Sequence, residues 1–331
     1  MPKFCSAPWR TVHITATGDV YSCLCPGWST KGALGNLHQN TLSEIVNASD
    51  AQMFRQSIVD QSFKYCIKTQ CPELYNLEQV DNFDFLPTLP TLPTTLAVAI
   101  DRNCNLQCAS CRNEKYFNSE IDPRAQHILN ILTKEYQDFE HPVTMGVDGS
   151  GDIFSSAAWM AFFRNTSLPK CFVFTIATNG NLITKNLDLL ESIKPQLESV
   201  NVSLDAATVE TYKQIRGGNF DIVLDGIRAM RSMGIKVNTS FVLQQRNYHE
   251  IADYHALAKS LDVSAIGMHV MDRWPHMSMQ WYNNNQIVSN NSIDRQSMMQ
   301  SLCALAQDPK SSLDGGALHL IEQYRLLNDP A

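Results

Sequence analysis

The residues of this chain best suited to chemistry are three cysteines, Cys104, Cys108 and Cys111, at C-x3-C-x2-C spacing. They follow the apolar run Leu96-Ala97-Val98-Ala99-Ile100, which reads as a buried strand. Three thiolates on one short loop can hold three corners of a cubic iron–sulfur cluster, for which thiolate is the usual ligand. The fourth corner then lacks a protein ligand, and an open metal position can bind and activate a small molecule. Structural zinc asks for four protein ligands, usually as two separated pairs, and this loop offers three with no nearby His.

A second group lies upstream. Residues 1–80 hold five of the ten cysteines: Cys5, Cys23, Cys25, Cys66 and Cys71. Val12–Ala16 and Val20–Ser22 alternate around Thr17-Gly18-Asp19 and read as a β-hairpin that brings Cys5 and Cys23 to one end of a small unit. Leu42 to Ile58 reads as one helix leading to the pair Cys66 and Cys71. So small a unit has little core, and a metal would supply much of its stability. Zinc closed by two cysteine pairs and a second iron–sulfur cluster both fit this donor set.

The elements that must position these cysteines are those of an α/β protein. Strands are expected near 96–101, 143–148, 172–177, 199–204, 236–243 and 263–270. Helical stretches separate them, such as Ala125–Phe139, Asn186–Leu197, Phe220–Met233 and His249–Leu261. Six such units make a partial (β/α)6 TIM-like barrel, whose chemistry gathers at the carboxyl ends of the strands. The run Leu86–Pro93, with Pro at every third residue, marks 81–95 as an extended linker. The expected organisation is therefore a small α+β metal-binding domain over 1–80, the linker, a barrel over 96–275, and a tail over 276–331. That tail carries an Asn-rich loop (Tyr282–Asn291) and two amphipathic helices packed beside the barrel.

With 44% hydrophobic and 18% charged residues, the composition is that of an ordinary globular protein. A net charge of −7 argues against a nucleic-acid partner. No apolar stretch follows Met1-Pro2-Lys3 and no run reaches membrane-spanning length, so no membrane partner is expected. A cytoplasmic setting keeps thiols reduced, and ten cysteines there suggest metal ligation over disulfides.

The Cys104 loop resembles the cluster motif of the radical S-adenosylmethionine (SAM) superfamily, although many members carry an aromatic residue where this chain has Ser110. The resemblance implies a [4Fe-4S] cluster on Cys104, Cys108 and Cys111, with SAM chelating the open iron. Reductive cleavage of SAM then yields a 5′-deoxyadenosyl radical that abstracts hydrogen from substrate.

Asp148-Gly149-Ser150-Gly151-Asp152 looks like the superfamily's "GGE" motif, which assigns Gly149, Ser150, Gly151 and Asp152 to the SAM amino group. Thr178-Asn179-Gly180 and the stretch from Ser203 to Arg216 resemble turns of the SPASM-containing branch. By this likeness Thr178, Asn179 and Ser203 meet SAM, and Arg216 pairs with its carboxylate. Gln244 faces SAM or substrate, and Met268 lies where the family cradles adenine. Asp272, Arg273, Trp274 and His276 follow the last strand as candidates for the substrate cavity. Cys171 and Cys303 read as small buried hydrophobes.

Upstream, Cys5-x12-Gly18-x4-Cys23, Gly35-Asn36-Leu37, Leu42–Asn47 and Cys66-x4-Cys71 resemble the SPASM/twitch auxiliary-cluster module, here at the amino end rather than after the barrel. A full module uses seven or more cysteines, so five imply one auxiliary [4Fe-4S] cluster on Cys5, Cys23, Cys66 and Cys71. Cys25 is the alternative to Cys23.

The expected activity is hydrogen abstraction from an unactivated C–H of a peptide or protein, giving oxidation, crosslinking or epimerisation. The electron would come from a flavodoxin- or ferredoxin-class donor. A small-molecule (sugar or alcohol) dehydrogenase is the alternative, and a non-catalytic iron–sulfur or zinc protein is the rival from another class.

Overall fold

The computed structural model describes residues 3–68, 70–75, 77–79, 88–147, 150–164, 168–274, 277–290 and 292–328. Contacts group the chain into two compact units. The first comprises Met1–Asn103, Phe117–Ala177 and Ile193–Glu198, and the second Cys104–Tyr116, Thr178–Ser192 and Ser199–Ala331.

In the first unit, β1 (Lys3–Phe4), β2 (Thr11–Thr15), β3 (Asp19–Ser22) and β4 (Gly35–Asn36) precede β5 (Glu78–Gln79), β6 (Thr95–Ala99), β7 (Val143–Val147) and β8 (Phe172–Thr178). β1 and β5 pair antiparallel as a small ribbon. The remaining strands are ordered β8-β7-β6-β2-β3-β4. β2 and β3 form the expected hairpin, with Ile14 opposite Val20. β6, β7 and β8 are parallel, and β6 buries Leu96, Ala97, Val98 and Ala99 on both faces, as a covered parallel strand does. β2 also runs parallel to β6, from Thr11 beside Thr95 to Thr15 beside Ala99. The hairpin that carries Cys23 is thus hydrogen-bonded to the strand that feeds the Cys104 loop.

The helix Pro123–Glu135 starts on an Asp122 cap with Pro at its first turn, a favoured pairing, and buries Ala125, Ile128, Leu129 and Leu132. The single helix expected from Leu42 to Ile58 is instead two, Leu42–Asn47 and Ser49–Val59, broken at an extended Ala48. Asn47 turns its amide to Leu89, accepting from the Leu89 N–H at 2.6 Å. The buried Arg55 takes the freed Val46 carbonyl at 3.0 Å. Side-chain hydrogen bonds of this kind compete with the helical ladder. Residues 81–87 of the expected linker lie outside the described residues.

In the second unit the strands are β9 (Leu197–Ser203), β10 (Val237–Leu243), β11 (Ala265–Val270) and β12 (Ser311–Leu313), parallel and in that order. β12 was not anticipated; its Ser-Ser-Leu is too short to show alternation. The Asn-rich loop is partly helical, since Ser278 caps Met279–Asn285 by accepting from Trp281 N–H. One face of β9–β11 buries Val200, Val202, Phe241, Ile266 and Met268. By register, Ser203, Ser240 and Gly267 share the other face, which carries polar side chains and is less buried.

Candidate active site and metal centres

The loop from Cys104 to Cys111 is braced at several points within the second unit. Cys104 N–H donates to the Tyr116 carbonyl at 2.9 Å, and Ala109 N–H to the Ile215 carbonyl at 2.9 Å. Cys111 N–H closes a turn onto Cys108. The Asn179 amide donates to Asn105 Oδ1 at 2.8 Å and stands 3.8 Å from Cys104 Sγ. Cys104 and Cys108 are buried with Leu106, whereas Cys111 is exposed. Burial pushes the Cys108 thiol up to about 11, and the Arg216 guanidinium works in the opposite direction.

The carboxyl ends of β9 and β10 supply the charged groups. Asp205 holds φ +58, a left-handed conformation uncommon outside glycine, so it is backbone placed with local strain. Its carboxylate accepts from Val242 N–H at 2.7 Å and from Arg216 Nη1 at 2.8 Å. Arg216 ends the helix Val209–Ile215, and its carbonyl lies 3.7 Å from Cys108 Sγ. The other end of that helix is clamped by Glu250, which accepts from Ala207 N–H at 2.7 Å and from the Thr208 and Thr211 hydroxyls at 2.6 Å. Burial alone would raise the Glu250 pKa, but these hydrogen bonds outweigh it and hold it below its usual range. Gln244, just past β10, is fully buried, and among the described residues neither its amide oxygen nor its nitrogen has a hydrogen-bond partner.

In the first unit, Asp101 gathers the backbone ahead of the loop. It accepts from Asn103 N–H at 2.9 Å, from the Asn103 amide at 2.8 Å and from the Ser156 hydroxyl. Asn103 in turn receives Asn118 N–H at 2.5 Å. Gly151 passes so close that a Cβ there would lie 2.3 Å from the Asn103 carbonyl oxygen and 2.7 Å from that of Asp101. Only glycine permits that approach. Asp152 N–H donates to the Asn103 carbonyl at 2.7 Å.

Four further cysteines, Cys5, Cys23, Cys66 and Cys71, line one cavity of about 150 Å³ in the first unit, together with Arg10, Trp28, Phe54 and Glu73. Cys66 is delivered by a bridge to Ser29 and by Ile67 N–H donating to the Trp28 carbonyl at 2.9 Å. Cys23 holds φ +73, so backbone strain is stored at this cysteine too. Burial pushes the Cys5 thiol up to about 11 and Cys66 up to about 12, and raises Cys23 further. Cys25 is not among the residues lining the cavity.

Two family models match this chain: the radical SAM superfamily over residues 98–258 and an iron–sulfur cluster-binding domain, SPASM, over residues 5–72. The chain belongs to the radical SAM superfamily, in its SPASM-containing branch. It is an enzyme whose cofactors are SAM and a [4Fe-4S] cluster, with auxiliary iron–sulfur in the SPASM module. The GTP 3′,8-cyclase of Limosilactobacillus fermentum is 28% identical over 174 residues, 50% of this chain and 51% of that protein. That of Peptoclostridium acidaminophilum is 30% identical over 173 residues, 49% of this chain and 50% of that one. The chain thus spans about half the length of the curated relatives it matches. Streptococcus suis SuiB bound to the precursor peptide SuiA shares the fold, with TM-score 0.50, 13% identity, and coverage of 84% of this chain and 64% of that one. SuiB bound to SAM matches with the same TM-score and identity over 82% of this chain and 64% of that one.

The donor sets fit radical SAM chemistry. Three soft thiols share one loop, and four more face one cavity. Among the described residues no three His, Cys, Asp or Glu side chains are grouped closely enough to hold a single metal ion. A four-iron cube is bulkier than one ion, and the four thiols line a single cavity of about 150 Å³.

The sequence-expected residues fall into three sets. Asn179 lies against Cys104, and Arg216 and Ser203 lie at the end of β9 or beyond it in the same unit. Ser150, Gly151 and Asp152 stand together in the first unit, but Ser150 donates to the Ala99 carbonyl at 3.0 Å and Asp152 caps Phe154 N–H at 3.1 Å. Thr178 is buried, and its hydroxyl accepts from Gly180 N–H at 3.2 Å. Met268 is fully buried level with Phe241, on the strand face opposite Ser203 and Ser240, so it packs in the core. Arg216 meets Asp205, a partner the motif did not announce. Gly149 and His276 lie outside the described residues. Asp272 is exposed, with its carboxyl raised by partial desolvation and by Asp314 nearby, Arg273 donates to the Met277 carbonyl at 3.2 Å, and Trp274 is exposed. Cys171 donates to the Tyr136 carbonyl at 3.4 Å in the core, and Cys303 lies on the helix Arg295–Ala306.

Asp101, Asn103, Asp205 and Glu250 were missed by reasoning from sequence. All four act on backbone N–H groups or on charges far along the chain, and short polar residues at strand ends were the only available signal.

Proposed function

We propose that this radical SAM enzyme removes a hydrogen atom from an unactivated C–H of a peptide or protein, leading to oxidation, crosslinking or epimerisation. The observation that carries the reaction class is the three-cysteine loop, braced by Asn179 and by the Arg216 end of its helix. When bound there, the cluster and SAM supply one-electron reductive cleavage of SAM to a 5′-deoxyadenosyl radical. Cys104, Cys108 and Cys111 hold the cluster. The likeness to the family assigns Gly149, Ser150, Gly151 and Asp152 to the SAM amino group, and Ser203 and Arg216, whose Nε–H has no hydrogen-bond partner among the described residues, to its carboxylate. Thr178 and Asn179 line the turn beside Cys104, and Gln244 offers an unsatisfied donor and acceptor to SAM or substrate.

Cys5, Cys23, Cys66 and Cys71 hold one auxiliary [4Fe-4S] cluster in a domain over 1–80, joined by 81–95 to the barrel of 96–275. A flavodoxin- or ferredoxin-class protein donates the electron. The peptide substrate is supported by the shared fold with SuiB, which binds a precursor peptide. The GTP 3′,8-cyclase relatives favour the small-molecule alternative over the region they cover.

No helix among the described residues is long and apolar enough to cross a membrane. The test is anaerobic incubation of the reduced protein with SAM, which is expected to release 5′-deoxyadenosine; its absence would eliminate the reading. Mass spectrometry of candidate substrates then decides between them. Loss of two hydrogens from a sugar or alcohol, with peptides untouched, would replace the peptide substrate by the small-molecule one.

A further inference from the structure

A buried ion pair stands beside the cysteine loop. Arg216 Nη1 lies 2.8 Å from Asp205 Oδ2, with the two side chains 13% and 2% exposed. Removing two charges from water costs more than a well-packed apolar pair would, so this pair is weak evidence for stability. Its surroundings give it another use. The Arg216 carbonyl is 3.7 Å from Cys108 Sγ, so the residue that carries the cation itself meets that sulfur through its backbone. Asp205 is fixed in place by Val242 N–H, by its own N–H donating to the Ser240 carbonyl at 3.2 Å, and by its left-handed backbone.

The guanidinium, paired with Asp205 on the residue whose carbonyl lies against Cys108, favours negative charge at that sulfur by Coulomb attraction. The same sign applies when one electron from a low-potential donor is added to a cluster held by Cys108, since no bond forms and the negative charge grows by one. We propose that the Arg216–Asp205 pair sets the reduction potential of the cluster on Cys104, Cys108 and Cys111, with Arg216 raising it and Asp205 moderating that effect. This rests on the assignment of those three cysteines as ligands. In a low-dielectric surrounding, fixed charges and hydrogen bonds near the sulfurs are a principal lever on such potentials.

The test is a dithionite redox titration of the full chain without SAM, followed by electron paramagnetic resonance. The signal of interest is the one that disappears in the Cys104→Ala/Cys108→Ala/Cys111→Ala variant. If no signal and no iron are lost in that variant, the ligand assignment itself fails. With the signal assigned, Arg216→Met is expected to disfavour reduction at least tenfold, a downward shift of about 59 mV for a one-electron couple. Asp205→Asn is expected to shift it upward by a similar factor. Asn tolerates the left-handed backbone and keeps an acceptor for Val242 N–H, so this variant removes charge and little else. Arg216→Lys is expected to stay nearer the parent than Arg216→Met. Shifts of the same sign in the Met and Asn variants, or none, would overturn the proposal. So would loss of the cluster in both, which would make the pair a brace. If only one of them loses the cluster, the direction of shift in the other decides.

Discussion

Cys5, Cys23, Cys66 and Cys71 come from three separate stretches of chain, whereas Cys104, Cys108 and Cys111 share one loop. The quartet faces a cavity walled by Phe54, Trp28 and Ile58, and its neighbours Phe63, Tyr65 and Leu74 form a small apolar cluster. The trio leaves Cys111 exposed, and its loop is held by a hydrogen bond from the Asn179 amide and by Ala109 N–H donating to the Ile215 carbonyl. Four thiols can satisfy every iron of a cube and close the site; three cannot, and leave a position for a reacting molecule. The quartet's geometry therefore depends on tertiary packing, while the trio's depends on local spacing plus a few polar braces.

The sharpest way to break this comparison is to remove each set. Cys104→Ala/Cys108→Ala/Cys111→Ala is expected to abolish 5′-deoxyadenosine formation and lower iron from about eight to about four per chain. Retained cleavage in a chromatographic assay would refute the open-site assignment. Replacing Cys66 and Cys71 with Ser is expected to halve iron in the same way while SAM cleavage persists. Cys25→Ser is expected to leave iron unchanged, because Cys25 does not line the cavity; iron lost with Cys25 would make it a ligand.

Next in size is the backbone contact at Gly151. Gly151→Ala drives a methyl into the Asn103 and Asp101 carbonyls and is expected to destabilise the fold by about 3 kcal/mol, read by denaturant unfolding. The Glu250 clamp is smaller. Glu250→Ala is expected to cost about 2 kcal/mol by leaving Ala207, Thr208 and Thr211 donors unpaired. Its folded pKa lies below the unfolded carboxyl value of about 4.3. The unfolded chain therefore binds more protons between the two, so the contribution is present above about pH 4.3 and is lost as pH falls through the folded value. Stability curves for parent and Glu250→Gln that stay parallel through this window would contradict the assignment.

The smallest effect belongs to Gln244. Gln244→Met removes a buried amide without partners and is expected to stabilise the SAM-free protein by about 1 kcal/mol while slowing turnover. A variant that is more stable and equally active would show the amide to be idle.

The parallel strands were legible from their apolar runs, and the expected and observed spans differ by only a few residues: 199–204 became Leu197–Ser203, and 236–243 became Val237–Leu243. The break at Ala48 was not, because its cause is Asn47 reaching Leu89 far along the chain. Likewise the parallel pairing of β2 with β6 joins a strand near the start of the auxiliary module to one beyond the linker. Local periodicity reports which residues are buried, not which neighbour buries them.

For the site, the sequence alone determined the donor chemistry: three thiols on one loop after a strand, a second cysteine-rich module, and glycine where backbone must pass backbone. Those follow from residue type and spacing, which are local. Tertiary structure alone decided that Cys5, Cys23, Cys66 and Cys71 come to line one cavity, that Met268 turns into the core, and that Arg216 meets Asp205. Each of these depends on side-chain direction and on long-range contact. A strand's two faces differ by one residue, and a buried charge takes whichever partner the fold brings within hydrogen-bond reach.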